Sequence, residues 1–308
     1  MVKSDNFHKI VEKVYTKSPL QKKKLQQYLD SMDDNFFNEA EEFAVQYMGY
    51  MENQNILLDY AVDSYLEMCH NMMKSQIEFM KTDKYTIDLH SKAYEEVYSN
   101  TQRMKSYMIG LAISQFLWET HYGMYSFFAK NIQKLSKNIH TYLEIGPGHG
   151  LFLKKALGFL GDEVKVDAVD ISAESISITK SIMNYFKPGF KNITYHNSDI
   201  LKFETDKKFD FVTMGEVLEH VNFPDKLLTK IRDLLNDGRG RSFVSTCVNC
   251  PAIDHVYHFK HVDDIRKLIN SCGLEIVDEA VLPVENLPME EIVEKKITIN
   301  YCSLLKRS

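Results

Sequence analysis

The stretch that decides the fold is Thr141–Leu157, TYLEIGPGHGLFLKKAL, near the middle of the 308-residue chain. Its first residues form a short apolar run typical of a buried strand, and its last residues carry apolar side chains at helical spacing. Between them, Gly146, Gly148 and Gly150 allow sharp turns and close approach to a ligand, because glycine has no Cβ. A glycine-rich turn between a strand and a helix indicates a nucleotide-binding loop.

The sequence around this loop alternates between two patterns. The segments TYLEIG, VKVDAVDI, NITYHNSD, FDFVTMG and GRSFVSTCV are short apolar or β-branched runs, and helical stretches of 10 to 15 residues separate them. This alternation is typical of βαβ units around a parallel sheet. The chain ends with LEIVDEAVLPVE and KKITINYCSLLKR, which have no full helix between them. We therefore predict an α/β fold with a seven-stranded sheet that ends in an antiparallel pair.

The sequence before Ile139 reads as helices. Segments such as DNFFNEAEEFAVQYMGYM and ILLDYAVDSYLEMCHNMMKSQIEFMK place apolar residues three and four positions apart, the period of an amphipathic helix. Asp33 and Asp34 ahead of Phe36 predict a helix start, where carboxylates accept from unpaired backbone N–H groups. We therefore predict two domains, an all-α lid or substrate domain over residues 1–135 and an α/β domain over residues 136–308.

Composition excludes several classes of partner. The net charge is −6 and cations are not clustered, which argues against nucleic-acid binding. No apolar run approaches the ~20 residues of a membrane span, so we expect no membrane partner. The N-terminal sequence lacks the apolar core of a signal peptide, and five cysteines without framework spacing suggest reduced thiols. We expect a cytoplasmic protein.

The glycine loop does not match the phosphate-binding patterns. It lacks the Gly-Lys-Ser/Thr of a P-loop, and its glycines alternate instead of falling at the first, third and sixth places of a dinucleotide fingerprint. Glu144 stands where a carboxylate can accept from a ligand ammonium, and Asp170, after the next strand, stands where one accepts from ribose hydroxyls. Asp199, after the third strand, can accept from the exocyclic amine of adenine. An amino acid, a ribose and an adenine without phosphates describe S-adenosylmethionine.

The set Glu144-x-Gly146-x-Gly148-x-Gly150, together with VDAVDIS, HNSDIL and FDFVTMGEVLEHV, resembles the class I S-adenosylmethionine-dependent methyltransferases. It is most similar to the small-molecule branch that includes the ubiquinone-biosynthesis-type enzymes, here with an added N-terminal helical domain. The resemblance covers about Tyr142–Leu305. It implies a Rossmann-like methyltransferase sheet whose last strand is antiparallel.

The resemblance also implies a cofactor site. The glycine loop passes under the methionine part, Asp170 holds the ribose, Asp199 with Ile200 flanks the adenine, and the residues after the fourth strand lie near the methyl group. The full expected set is Glu144, Gly146, Pro147, Gly148, Gly150, Asp170, Ile171, Asp199, Ile200, Met214, Gly215 and Glu216. The fourth-strand motif, TMGEVLEH, lacks the Asp/Asn-Pro-Pro-Tyr/Phe that serves planar nitrogens, which disfavours such acceptors.

Histidines concentrate after the fourth and fifth predicted strands, where ligands of open α/β sheets bind. His220 lies in EVLEHV, and His255 and His258 lie in CVNCPAIDHVYHFKH. A hydroxyl acceptor must lose a proton, whereas a carboxylate acceptor needs only positioning. These three histidines are therefore catalytic candidates. The alternative is that they are ordinary loop histidines, and for His220 a structural or cofactor-side role is equally open.

The helical segment FLWETHYGMYSFF directly precedes the first strand and so must lie near the pocket. Trp118, His121, Tyr122 and Tyr125 are potential contacts, and Tyr122 is our fourth catalytic candidate. Aromatic residues at helical spacing more often pack in a core, which is the alternative here. A helical domain of this size suggests a broad groove for a peptide or carrier-bound acceptor.

Cys247-x-x-Cys250 followed by His255 and His258 offers two thiols and two imidazoles, which also invites a zinc interpretation. A structural zinc site usually brackets a longer loop, and the resemblance gives no precedent for a metal. A redox pair lacks its usual place at the start of a helix in a thioredoxin-like unit. From the sequence alone we therefore expect no metal and S-adenosylmethionine as the cofactor.

The sequence predicts O-methylation of a carboxylate or hydroxyl on a natural-product-type acceptor, either a small molecule or a modified peptide. The alternatives are an N-methyltransferase acting on a small amine and a noncatalytic S-adenosylmethionine-binding protein. A pocket rich in carboxylates and aromatic rings would favour the amine.

Overall fold

A computed structural model describes residues 5–85 and 101–308. Its centre is a seven-stranded sheet in the order β3-β2-β1-β4-β5-β7-β6. Neighbouring strands from β3 to β5 pair in parallel, and β7 is antiparallel to both β5 and β6. The strands are β1 Thr141–Ile145, β2 Lys165–Asp170, β3 Ile193–Asn197, β4 Phe211–Gly215, β5 Arg241–Val248, β6 Leu274–Pro283 and β7 Ile299–Arg307. This sheet confirms the predicted fold class and its antiparallel end.

The helices form an N-terminal group and a group that alternates with the strands. The first group is α1 Asp5–Lys17, α2 Pro19–Asp30, α3 Asp34–Asn53, α4 Leu58–Thr82, α5 Thr101–Leu117 and α6 Glu119–Leu135. The second is α7 Leu151–Leu160, α8 Ala173–Phe186, α9 Pro224–Leu234, α10 Val262–Ser271 and α11 Met289–Glu294. The helices expected before Ile139 are present, except that residues 86–100 of that prediction lie outside the described residues.

Local chemistry explains where two of the N-terminal helices start. The Asp33 carboxylate accepts from the Phe36 N–H at 2.9 Å, which caps α3 as the sequence predicts. The long apolar segment from Arg103 onwards is not one helix. It breaks at Trp118, whose backbone is extended (φ −116°, ψ 125°) and whose indole N–H donates to the Tyr65 hydroxyl at 2.9 Å.

One buried carboxylate ties together the ends of the sheet opposite the glycine loop. Asp210 accepts from the backbone N–H groups of His140 and Thr141 at 2.9 and 3.0 Å and from the Asn236 amide at 2.6 Å. Burial alone would raise the pKa of Asp210, but these hydrogen bonds and the nearby Arg239 lower it overall. This anchor fixes the start of β1 against the segment that follows α9.

Helix α6 shares its core with the sheet. Phe128 and Ile132 are fully buried in one cluster with Tyr142 of β1 and Phe243 of β5. The other N-terminal helices build a separate cluster that reaches Leu151 at the start of α7. The domain boundary after residue 135 stays a prediction. No described helix is long and apolar enough to cross a membrane.

Candidate functional site

A cavity of about 1480 Å³ opens at the carboxyl ends of β1, β2, β4 and β5. Helices α2, α4 and α5 and the start of α6 form its opposite wall. Binding sites for one small molecule commonly measure ~300–1,000 Å³. The cavity therefore has room for a nucleoside and a second molecule side by side.

The glycine loop forms the cavity floor in a shape that side chains would not allow. Gly146, Gly148 and Gly150 have φ angles of +65°, +52° and +68°, which L-residues rarely adopt. A Cβ on Gly146 would lie 2.8 Å from Val217 Cγ2, and one on Gly148 would lie 3.3 Å from Met108 Sδ. The bare backbone is therefore required, and it leaves space for a ligand to approach closely.

Asp170 lies at the carboxyl end of β2 and lines the cavity. Its two oxygens accept from the Ser172 N–H at 2.8 Å and from the Ser175 hydroxyl at 2.6 Å. Burial raises the pKa of Asp170 to about 6, although these hydrogen bonds act against the rise. A carboxylate fixed in this way, with part of its surface open to the cavity, suits the two hydroxyls of a ribose.

Glu144 is buried in the floor, in the strand that leads into the glycine loop. Its Oε2 accepts from the Tyr142 hydroxyl at 2.6 Å, and that hydroxyl also lies 2.8 Å from Thr213 Oγ1. Burial raises the pKa of Glu144 to about 8. The carboxyl lines the cavity, so the ammonium of a bound amino acid would meet it there and favour its ionised form.

Most of the expected cofactor residues surround the cavity. Those that line it are Glu144, Gly146, Pro147, Gly148, Asp170, Ile171, Asp199, Ile200, Gly215 and Glu216. Asp199 is held by the Leu201 N–H, which donates to its Oδ1 at 2.9 Å. Gly150 lies behind the floor, where its N–H donates to the Pro147 carbonyl at 2.7 Å and begins α7.

The structure corrects the assignment of Met214. The Met214 side chain is fully buried, in the same hydrophobic cluster as Leu143 and Val244. Among the residues that the structure describes, Met214 is not one of those that line the cavity. The side chains of a strand alternate between the two faces of its sheet. Gly215 and Glu216, which follow at the end of β4, reach the cavity instead.

A polar wall closes the cavity beyond β4 and β5; it consists of Glu216, Glu219, His220, Asp254 and His255. The Glu219 carbonyl accepts from the N–H groups of Val256 and Tyr257, both at 2.9 Å, which joins the two loops that carry the wall. Glu219 Oε2 accepts from the Thr246 hydroxyl at 2.7 Å. In contrast, Oε1 of Glu219 and Oε1 of Glu216 are buried without a hydrogen-bond partner in the described chain.

The two histidines of the polar wall contact each other at a ring-centroid distance of 4.7 Å. His220 Nδ1 lies 3.1 Å from the carbonyl oxygen of Asp254 and 3.5 Å from its carboxylate. His220 Nε2 lies on the other side of the ring, 3.9 Å from Glu219 Oε1. A ring anchored through Nδ1 presents Nε2 for hydrogen bonding or proton transfer.

His255 adjoins two buried thiols. Its Nδ1 lies 2.6 Å from the carbonyl oxygen of Cys250 and 3.8 Å from Cys247 Sγ. Hydrogen bonding with Cys247 lowers the pKa of the Cys250 thiol to about 5, and His255 adds to that effect. Burial acts to lower the pKa of His255, but the Cys250 thiol and the neighbouring carboxylates raise it overall to about 10.

The structure also corrects two catalytic candidates. The Tyr122 hydroxyl donates to Glu39 at 2.9 Å and its ring packs edge-on against Phe36, away from the cavity. His258 Nε2 lies 2.7 Å from Asn249 Oδ1, and its ring packs on Tyr85 outside the cavity. Both side chains serve packing. Their sequence positions are near the site, but their side chains point elsewhere.

Other residues near Tyr122 do reach the cavity. Trp118 and His121 line it, as the sequence suggested, whereas Tyr125 lies in the core between α6 and the N-terminal helices. Burial lowers the pKa of His121 to about 3, and its Nδ1 pairs with Ser114 Oγ at 2.8 Å. His121 is therefore a neutral part of the wall.

Sequence analysis missed two features of the site. Glu219 stands three residues after Glu216, a spacing that could have drawn attention to it. The apolar wall opposite the sheet gave no such signal, because its residues come from four helices. These residues are Leu20, Leu25, Met72, Met73, Met104, Met108, Leu111 and Met124.

Comparison with known proteins agrees with this geometry. The methyltransferase domain family matches residues 120–279, slightly more than half of the chain. A ubiquinone biosynthesis O-methyltransferase of Coxiella burnetii is 28% identical over 179 residues, which cover 52% of this chain and 74% of that protein. The mitochondrial enzyme of the same name from Candida albicans is 33% identical over 107 residues, which cover 34% of this chain and 32% of that protein.

A solved structure gives the same result for the fold. An O-methyltransferase family protein from Burkholderia thailandensis superposes with a TM-score of 0.53 at 12% identity, covering 81% of this chain and 72% of that one.

Proposed function

Since this chain belongs to the family of S-adenosylmethionine-dependent methyltransferases, we propose that it transfers the methyl group to an oxygen of a large, mostly apolar acceptor. The observation that carries this proposal is the polar wall at the carboxyl ends of β4 and β5, which faces a cavity side that apolar residues of the N-terminal helices line. Val217, which touches Gly146, begins the loop that holds His220. That loop brings the imidazole next to the glycine loop, on which we propose that the cofactor binds.

The bound cofactor supplies an electrophilic methyl group on a sulfonium. The chain's task is to align the acceptor oxygen with that methyl group and to exclude water. A hydroxyl acceptor would form the new O–C bond and lose its proton, and the electron pair of the broken S–C bond would remain on the departing thioether. His220 Nε2 receives the proton, and Asp254 at Nδ1 holds the ring in place for the transfer.

The apolar wall indicates the size and polarity of the rest of the acceptor. Four methionines from α4 and α5, Met72, Met73, Met104 and Met108, line the side opposite the sheet. Methionine side chains adapt to irregular apolar shapes. Together with the cavity volume of about 1480 Å³, they favour a natural-product-type molecule with one polar end and a bulky or extended apolar body.

The test is the chemistry of the product. The protein is incubated with S-adenosylmethionine that carries a labelled methyl group and with alkyl-chain phenols, carboxylic acids and amines of matched length. We expect label in the phenols or acids. A methyl ether keeps its label in mild base, whereas a methyl ester releases labelled methanol. Label in the amines alone would overturn the proposal.

An N-methyltransferase is the second candidate, because the polar wall also has features of an ammonium site. Tyr107 is half-buried and lines the cavity. Burial raises the pKa of its hydroxyl most, and the carboxylates of Asp254, Glu219 and Glu216 raise it further. Carboxylates and an aromatic ring together can hold a cationic amine. The same acceptor panel separates the two candidates, because an N-methyltransferase would label the amines and not the phenols or acids.

A further inference from the structure

Three metal-binding side chains meet at the end of β5 in a way that the proposed methyl transfer does not use. They are Cys247, Cys250 and His255, which are all buried. One ligand atom of each lies within 4.8 Å of the others. Asn249, between the two cysteines, has a φ of +49°, and this turn helps to bring both sulfur atoms to the same place.

The spacing of these atoms is close to that of a tetrahedral zinc site. Zinc bonds of ~2.3 Å to sulfur and ~2.0–2.1 Å to nitrogen place neighbouring ligand atoms roughly 3.3–3.8 Å apart. Cys247 Sγ and His255 Nδ1 are already 3.8 Å apart. A metal bound through Nδ1 would replace the proton that this nitrogen shares with the Cys250 carbonyl at 2.6 Å. The remaining pairs of ligand atoms lie within 4.8 Å of each other, so binding a metal would require them to approach to roughly 3.3–3.8 Å.

A second, independent observation points to a cation at this place. Glu219 and Glu216 each have one buried oxygen without a hydrogen-bond partner among the described residues. Ligand atoms of these two glutamates and of Cys247 lie within 4.8 Å of one another, and Glu219 forms a similar group with His220 and His255. Buried carboxylate oxygens without a partner are costly. A divalent cation beside Glu219 would compensate for that cost.

The kind of ligand selects the metal. Two thiols and an imidazole favour zinc over magnesium or calcium, which prefer oxygen ligands. Catalytic zinc sites commonly have three protein ligands and one open position, whereas structural sites are closed by four. Cys250, His255 and Glu219 line the cavity, while Cys247 lies behind them. The open position would therefore face the cavity.

We propose that Cys247, Cys250 and His255 bind a zinc ion whose fourth position, beside Glu219, holds the acceptor oxygen. This inference rests on the proposed function for the identity of the acceptor atom, but the metal site itself does not. Zinc would polarise the oxygen and fix it in line with the methyl group. The sequence alone does not favour this site; the close approach of the three side chains and the two unpartnered carboxylate oxygens are the reasons to propose it.

The first test measures metal content. The protein is purified without chelators, and zinc is quantified by mass spectrometry; we expect about one zinc per chain. The variants Cys250→Ser and His255→Gln should lose it at least tenfold. Cys272→Ser is the matched control, because Cys272 is a buried cysteine outside both the cluster and the cavity, and it should keep the metal. Zinc that persists in Cys250→Ser and His255→Gln would overturn the assignment.

The second test does not depend on mutant folding. Cobalt(II) is added to the metal-free wild-type protein, and the absorption spectrum is recorded. We expect the intense visible bands of tetrahedral cobalt and a thiolate charge-transfer band, and both should change when a phenol acceptor is added. A protein that binds neither zinc nor cobalt, or whose mass shows a disulfide between Cys247 and Cys250 in place of metal, would overturn the proposal.

The two proposals fail in different ways. Labelled methyl ether or ester formed by a protein that binds no metal would overturn the zinc site and leave O-methylation standing. A zinc-loaded protein that labels only amines would overturn O-methylation and the assignment of an acceptor oxygen at the metal. In that second case the metal content and the cobalt spectrum would still support the three-ligand site.

Discussion

The substitution Gly146→Ala tests whether the shape of the glycine loop is required for cofactor binding. Gly146 has a φ of +65°, and an added Cβ would lie 2.8 Å from Val217 Cγ2. The left-handed conformation costs an L-residue ~1–2 kcal/mol. Val217 cannot easily turn away, because β-branched side chains have few rotamers, and such overpacking typically costs another ~1–3 kcal/mol.

These costs are only partly offset. Replacing glycine by alanine lowers the conformational entropy of the unfolded chain, which stabilises the folded protein by ~0.4–1 kcal/mol. We therefore expect Gly146→Ala to lower the free energy of unfolding by roughly 1–4.5 kcal/mol, or to shift the loop and relieve the strain. In either case S-adenosylhomocysteine should bind at least ~10-fold more weakly, which corresponds to ~1.4 kcal/mol.

Urea denaturation and calorimetry with S-adenosylhomocysteine measure the two effects. Gly158→Ala is the matched control, because it lies inside α7 and an added Cβ there would meet nothing within 4 Å. It should stabilise the protein by up to ~1 kcal/mol and leave binding unchanged. Adding Val217→Ala to Gly146→Ala should recover the overlap cost but not the cost of the positive φ. If Gly146→Ala behaved like Gly158→Ala, the reasoning would be wrong.

Three further predictions concern other parts of the molecule. Asp170→Asn should weaken S-adenosylhomocysteine binding by about 10- to 100-fold, since a charged hydrogen bond contributes ~1.5–3 kcal/mol. In the wild type, calorimetry between pH 5 and pH 8 should show weaker binding below a pH of about 6, where Asp170 becomes protonated, and the asparagine variant should lack this dependence. Asp210→Asn should cost ~2–3 kcal/mol of stability at pH 7. The pKa of Asp210 is lower in the folded protein than the unfolded value near 3.8. The contribution of Asp210 to the free energy of unfolding is therefore present above pH 3.8 and is lost as the pH falls through the folded pKa. Urea denaturation of the wild type and of Asp210→Asn at pH 7 and pH 3 measures this loss. Tyr122→Phe should leave methyl transfer within about twofold of wild type, whereas His220→Gln should lower kcat ~10²-fold or more; a rate loss in Tyr122→Phe as large as that in His220→Gln would contradict the geometry.

The sheet and the glycine loop were predictable because each depends on a local pattern. A strand needs only a short apolar run. The loop needs positive φ angles at Gly146, Gly148 and Gly150, and glycine is the residue type that adopts them most readily. The Asp33 cap was predictable for the same reason, since the carboxylate and the N–H that it binds are three residues apart. The fold could therefore be derived from neighbouring residues alone.

The break at Trp118 was not predictable from such patterns. The sequence on both sides has good helical spacing. At the break, the indole of Trp118 donates to a residue that is distant in sequence, Tyr65 on α4. Met214 shows the same limit on a smaller scale. Its place beside Gly215 suggested a cofactor contact, but the alternation of side chains along β4 buries it under the sheet.

The catalytic candidates divide according to the direction of their side chains. His220 and His255 reach the cavity, while His258 and Tyr122 have partners elsewhere. The sequence places all four in segments next to the predicted site, so sequence alone could not separate them. The polar wall depends on contacts between the loops after β4 and β5, such as the two N–H groups that bind the Glu219 carbonyl.

The N-terminal helices contribute to the cofactor side of the cavity as well as to the acceptor side. Met108 of α5 lies 3.3 Å from the position that a Cβ on Gly148 would take, and Trp118 and His121 line the cavity beyond it. The same helix carries Met104 and Leu111 into the apolar wall. A cofactor on the glycine loop and an acceptor against the apolar wall would therefore both contact α5, so ordering of α5 by the first ligand would lower the conformational entropy that the second must remove. Helices that merely covered the acceptor would not couple the two ligands in this way.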